Sequence, residues 1–116
     1  MRHVAEKQEP LSEAVFLILT SLAEEPRHGY ALIQDIQALS GGRVRLSTGT
    51  LFGALRRLLE AGWIKEVSGP ETGERPRRYY RLTRQGNAML QTELQRMESM
   101  VRKSKSIRLR AAEASL

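Results

Sequence analysis

The 116-residue chain contains no cysteine. That excludes disulfides, thiolate zinc sites and a thiol redox sensor, and it fits a reducing compartment. There are two histidines, His3 and His28, far apart and outside any HExxH-type ligand spacing, so no metal or other cofactor is expected. Aromatic residues are scarce, at 5%, which leaves little stacking surface for single-stranded nucleic acid. Long apolar runs are also missing. The longest, AVFLIL at 14–19, is far too short to cross a bilayer, and the first ten residues hold no apolar signal core. No nucleophile–base pair, glycine-rich phosphate loop or paired carboxylates stand out, so the chain does not read as an enzyme. A cytoplasmic protein without a membrane partner is expected.

Acidic residues fall short of basic ones, 13 against 19, for a net charge of +6. Such an excess favours an anionic partner, nucleic acid or an acidic surface. With 41% hydrophobic and 28% charged residues, the length suits one globular unit with one core.

Residues 1–10 read as a polar N-terminal arm ending at Pro10. Ser12 is placed to cap a first helix whose apolar face is broad, with Leu11, Val15, Ile18, Leu19 and Leu22 widened by Ala14, Phe16 and Leu17. A second helix is predicted from about 28 to 40, with Leu32, Ile36 and Leu39 on its buried face and Gly41-Gly42 as its stop. RVRL at 43–46 reads as a short strand before a third helix from Ser47 to Gly62. WIKEV at 63–67 and RRYYRL at 77–82 read as paired strands around the turn-rich SGPETGERP at 68–76. Ile64, Tyr80 and Leu82 should face inward, and Tyr79 and Arg81 outward. Thr83 then caps a last helix of roughly 24 residues, about 36 Å, whose apolar seam fades after residue 101 and whose basic remainder is expected to fray at its end.

This order is that of a mostly α protein with a small β-hairpin: a winged helix-turn-helix followed by a long C-terminal helix. Residues 11–82 would form the winged helix-turn-helix and 83–116 the dimerisation helix and basic tail.

The third helix, STGTLFGALRRLLEAG at 47–62, raises the question of function. On a helical wheel Leu51, Leu55 and Leu58 cluster on one side. Gly49, Gly53, Arg56, Arg57 and Glu60 lie on the other, with Thr50 close by. Each glycine costs a helix about 1 kcal/mol relative to Ala, so two of them one turn apart need a reason. Tight packing of helices in the core is one. Close docking on DNA is the other, and it is favoured because both glycines oppose the leucines. Ser47, Thr48 and Thr50 add hydroxyl donors at a helix N-terminus suited to phosphate, and Arg56 can reach a guanine edge or a phosphate.

Arg75, Arg77, Arg78 and Arg81 cluster on the hairpin with Tyr79 among them, where they can track phosphates or enter a minor groove. On the last helix Leu90, Leu94, Met97 and Val101 recur at 4-3-4 spacing, a seam that suits a second copy of the chain.

Three stretches carry a resemblance: LSEAVFLILTSLAEEPRHGYALIQDI at 11–36, LSTGTLFGALRRLLEAGWI at 46–64 and RRYYRLTRQG at 77–86. Together they resemble the PadR family of bacterial transcriptional regulators, in its compact subgroup with a single short C-terminal helix. The resemblance implies a homodimer joined through the first helix, with Val15 and Phe16, and the last. It implies repression by binding double-stranded DNA at an inverted-repeat operator. It places Tyr30 near a phosphate, Ser47, Thr48, Gly49, Thr50 and Phe52 in the recognition helix, and Arg77, Arg78 and Tyr79 in the wing. The family usually has Tyr-Pro after GTL, where this chain has Phe52-Gly53, so a phosphate contact from a tyrosine hydroxyl is absent there. Release by a small-molecule effector is left open, but a drug held between tryptophans of the last helix is not expected, since that helix has none. The competing function is a winged helix used as a protein–protein module without specific DNA binding.

Overall fold

A computed structural model describes residues 9–70 and 77–115. It contains α1 (Glu13–Glu24), β1 (Arg27–His28), α2 (Gly29–Leu39), α3 (Thr48–Ala61), β2 (Ile64–Ser68), β3 (Arg78–Leu82) and α4 (Arg84–Ala114). Three helix starts follow from hydroxyl caps that satisfy otherwise free backbone donors. The Ser12 Oγ accepts from the Val15 N–H at 3.1 Å, the Ser47 Oγ from Thr50 at 3.1 Å and the Thr83 Oγ1 from Gly86 at 3.0 Å. The stops of α2 and α3 follow from glycine, with Gly41, Gly42 and Gly62 all at positive φ.

α1 runs through the centre of the core. Leu17, Ile18, Leu19 and Leu22 are buried with Leu32 and Ile36 of α2, Leu51, Ala54, Leu55 and Leu58 of α3, and Ile64 and Tyr80 of the sheet. Ile64 and Tyr80 face inward as expected, with Leu82 half-buried beside them, while Arg81 is exposed. The expected outward Tyr79 is half-buried, because its ring lies on Gly69 and against His28.

The sheet departs from the sequence reading. Its order is β1-β3-β2, and the third strand is the dipeptide Arg27–His28, paired antiparallel with Tyr80 and Tyr79. RVRL at 43–46 is not a strand. Its side chains alternate, with Val44 and Leu46 packed on the core and Arg43 and Arg45 exposed, but its backbone joins no sheet.

Arg27 fixes β1 in place. Its side chain is 14% exposed and reaches Glu24 at 2.6 Å, Glu25 at 3.2 Å and Asp35 at 3.6 Å. Its Nε donates to the Ser21 carbonyl at 3.2 Å, and the buried Ser21 hydroxyl donates to Asp35 at 2.6 Å. This network ties the end of α1 to α2 and sets the next residue, His28, beside β3.

Two helix expectations are corrected. Leu39 is 49% exposed, because the core has ended by the last turn of α2. α4 is longer than the roughly 24 residues expected: it continues to Ala114, 31 residues in all, or about 46 Å at 1.5 Å per residue. Beyond the seam its Lys, Arg, Ala and Leu residues are strong helix formers, so the backbone continues where the apolar pattern stops.

Candidate nucleic-acid interface

α3 turns its leucines inward and leaves the opposite face bare. Ser47, Thr48, Gly49 and Thr50 are all exposed. A β-carbon at Gly49 would meet nothing within 4 Å, and one at Gly53 would meet only the Arg57 guanidinium at 3.9 Å. Neither glycine therefore serves packing within the chain, and the core-packing explanation of the pair fails. Arg56 and Arg57 are exposed on the next turn. Arg43 and Arg45, unremarked among the candidate residues of the sequence, are exposed on the segment leading into the helix. Their signal was the same alternation that suggested a strand.

Phe52 is 44% exposed and stands over the start of α2, where a β-carbon at Gly29 would come 2.7 Å from its ring. Tyr30, the next residue, is 64% exposed. On β3 and the residue before it, Arg77 and Arg78 are exposed, and Arg78 lies 3.6 Å from the Glu66 carboxylate across the hairpin. Arg75 falls outside the described residues. His28, Gly29, Tyr30, Phe52, Arg77 and Arg78 line one hollow of about 390 Å³, so α2, α3 and the hairpin converge there.

His28 belongs to this group, although the sequence reading weighed it only as a metal ligand. Its Nδ1 accepts from the Ala31 N–H at 3.2 Å and so caps α2. Its Nε2 is 2.9 Å from an Arg77 guanidinium nitrogen, and its ring meets Tyr79 edge-on at 5.3 Å. Burial, and then the Arg77 charge, hold its pKa below the usual histidine value. The readable signal was a residue able to accept at the N-cap position immediately before a helix.

The seam divides. Leu90 is 5% exposed and packs in the core of its own chain. Val15 and Phe16 are half-buried against that core. Leu94 and Val101 are exposed and Met97 half-buried, and with Glu98, Arg102 and Lys105 they form an open groove. Among the described residues no helix is long and apolar enough to cross a membrane, and no cluster of residues could hold a metal ion.

Relatives share this framework. A transcriptional regulator from Clostridium thermocellum superposes with a TM-score of 0.68 at 27% identity, covering 80% of this chain and 87% of that one. A PadR family transcription regulator from Clostridium difficile superposes with a TM-score of 0.69 at 25% identity, covering 83% and 98%. A 37.1 kDa protein in a Streptomyces fradiae transposon is 38% identical over 86 residues, 74% of this chain; the chain spans 23% of that protein's length. The model of the PadR-like family of transcriptional regulators matches residues 18–92. With the four helices, small sheet and long α4 of the described residues arranged as in those structures, the chain belongs to the PadR-like family of transcriptional regulators.

Proposed function

We propose that the protein binds duplex DNA as a homodimer at an inverted-repeat operator and represses transcription from it in the cytoplasm. The observation that carries this reading is the open glycine face of α3, where nothing within 4 Å would meet a β-carbon at Gly49. Small residues let a helix backbone come close to a surface, and the N-terminus of α3 offers free N–H groups beside Ser47, Thr48 and Thr50. In this reading α3 enters the major groove, with Gly53, Arg56 and Arg57 toward the bases and backbone. Arg77, Arg78 and Tyr30 take phosphates on either side. Residues 11–82 then act as the DNA-binding unit and 83–116 as the dimerisation unit, through Leu94, Met97 and Val101 of α4 with Val15 and Phe16 of α1. A small-molecule effector that releases the dimer from its operator belongs to the same reading.

Recovering the bound sites from random-sequence DNA and titrating them at rising salt tests the proposal. Affinity should fall steeply with salt as counterions return to the phosphates. Inserting about five base pairs between half-sites turns one by roughly half a helical turn and should abolish paired binding. Salt-independent or undetectable binding would favour the protein–protein module instead.

A further inference from the structure

The two nitrogens of His28 make demands that one imidazole cannot meet alone. A neutral ring carries one proton and one lone pair. Nδ1 accepts from the Ala31 N–H at 3.2 Å, so Nδ1 holds the lone pair and Nε2 the proton. Nε2 then faces an Arg77 guanidinium nitrogen at 2.9 Å, and that nitrogen is also a donor only. The other tautomer would accept from Arg77 but turn an Nδ1–H against the Ala31 N–H. A protonated ring would clash with both donors and add a second positive charge beside Arg77. The lowered pKa of His28 keeps the ring neutral near pH 7, with a single proton to place.

Two donors at hydrogen-bond distance need an acceptor that both can reach. An anionic oxygen has lone pairs for both, and charge-assisted bonds to it are the strong kind. The hollow of about 390 Å³ beside them is lined further by Tyr30 and Arg78, with Phe52 of α3 on its wall. Among the described residues no carboxylate lines it. Tyr79 of β3 covers the ring edge-on, and β1 is held by Arg27, so the imidazole is braced on the sheet side while the donor pair opens on the hollow.

We propose that His28, as its Nε2–H tautomer, is a phosphate ligand that shares one backbone phosphate of the bound duplex with Arg77, a role that rests on the DNA-binding reading above. A duplex phosphate fits better than a free anion because the hollow lies between α3 and the hairpin, the two elements placed on either side of the DNA backbone. The imidazole acts as a neutral donor whose direction is set by the cap it makes on α2. Cap and phosphate contact are thus two ends of one ring.

His28→Asn separates the two ends. Asn is a good N-cap, so the bond to Ala31 is kept, but its amide is too short to put a donor where Nε2 stands. Binding to a duplex carrying the parent's selected site should weaken about tenfold, while the melting temperature falls only by the small share of the lost edge contact with Tyr79. The slope of log affinity against log salt should stay as in the parent, since no charge is lost, whereas Arg77→Ala should reduce it by about one. A variant that binds duplex like the parent overturns the proposal. So does a variant that loses inorganic phosphate binding but keeps duplex binding, which would mark a free-anion site. Nitrogen-15 NMR of the ring decides independently of any variant: a protonated Nε2 with bare Nδ1 is expected, and the opposite tautomer overturns the assignment. Failure of the parent itself to bind any duplex would instead refute the DNA-binding reading.

Discussion

Gly86 lies directly beneath the backbone of Trp63, so that a β-carbon at Gly86 would stand 2.0 Å from the Trp63 carbonyl oxygen. That carbonyl cannot swing away, because it accepts from the Thr83 N–H at 3.0 Å and leads into β2. Thr83 adds a second tie, donating its hydroxyl to the Gly62 carbonyl at 2.7 Å. The first turn of α4 is thus clamped onto the end of α3 where only a glycine fits. Gly86→Ala should destabilise the fold by at least about 1–3 kcal/mol, the cost of overpacking against unyielding atoms. Gly49→Ala is the control, since its site is open and Ala suits a helix. Thermal melts of both should move in opposite directions, and a Gly86→Ala protein melting with the parent would contradict the clamp.

The caps Ser12 and Thr83 were legible in the sequence because cap chemistry is local: each bonds a donor within three residues, as does Ser47, legible only as the start of its helix. The open face of α3 was legible for the same kind of reason, as a wheel of small and basic residues opposite leucines. The strand Arg27–His28 was not, because two residues have no period; a distant partner, β3, makes them a strand. RVRL shows the converse. Alternation reports burial, and it predicts pairing only when a partner strand is present. Leu90 and Leu94 look alike at heptad spacing, yet one is buried in its own core and the other is exposed, since a seam does not say what covers it.

Glu93 of α4 ties down Leu11, just ahead of α1. Its buried carboxylate accepts from the Leu11 N–H at 3.2 Å and from Arg96 at 2.9 Å and 2.5 Å. The Arg96 hydrogen bonds lower its pKa, against the opposing effect of burial. A carboxyl depressed in the folded state contributes stability that is fully present above the ordinary glutamate range, about 4.3, and is lost as pH falls through the folded value. Glu93→Gln should therefore melt below the parent at pH 7, and the two curves should converge as pH falls below the ordinary glutamate range. A constant gap across that window would rule out the charge as the cause.

The divided seam predicts two different phenotypes. Leu94→Glu puts a carboxylate on an exposed apolar position, so the monomer should fold while sedimentation shows loss of dimer. Leu90→Ala empties a core site and should cost about 2–5 kcal/mol in stability. A Leu94→Glu protein that dimerises as strongly as the parent would place the subunit interface elsewhere.

Arg56 and the hairpin arginines should differ in kind. If Arg56 reads a base edge, Arg56→Ala relaxes sequence preference at one position, at about 1–3 kcal/mol. Arg77→Ala and Arg78→Ala should weaken all sequences alike and flatten the salt dependence. Arg78 has a competing partner in Glu66 at 3.6 Å, so its substitution should cost less than that of Arg77. Selection of preferred sites by each variant, with binding at two salt concentrations, distinguishes them. Equal and sequence-blind losses from all three would reduce Arg56 to a phosphate contact.

The two glycines of α3 give the sharpest separation of stability from function. Gly53→Ala removes backbone freedom from the unfolded chain and should raise stability by up to about 1 kcal/mol, since its β-carbon would touch only the flexible Arg57 side chain at 3.9 Å. Gly53→Leu should fold as well, because the site faces outward, but its side chain would stand between the helix and the groove. The expected result is a melting temperature at or above the parent's with affinity for the selected duplex reduced at least about tenfold, or 1.4 kcal/mol. Had the glycine served core packing, Leu would instead overpack and destabilise by roughly 1–3 kcal/mol. Melts and duplex titrations of the same two proteins decide the matter. A Gly53→Leu protein that melts like the parent and binds like it would mean that α3 does not approach DNA through this face.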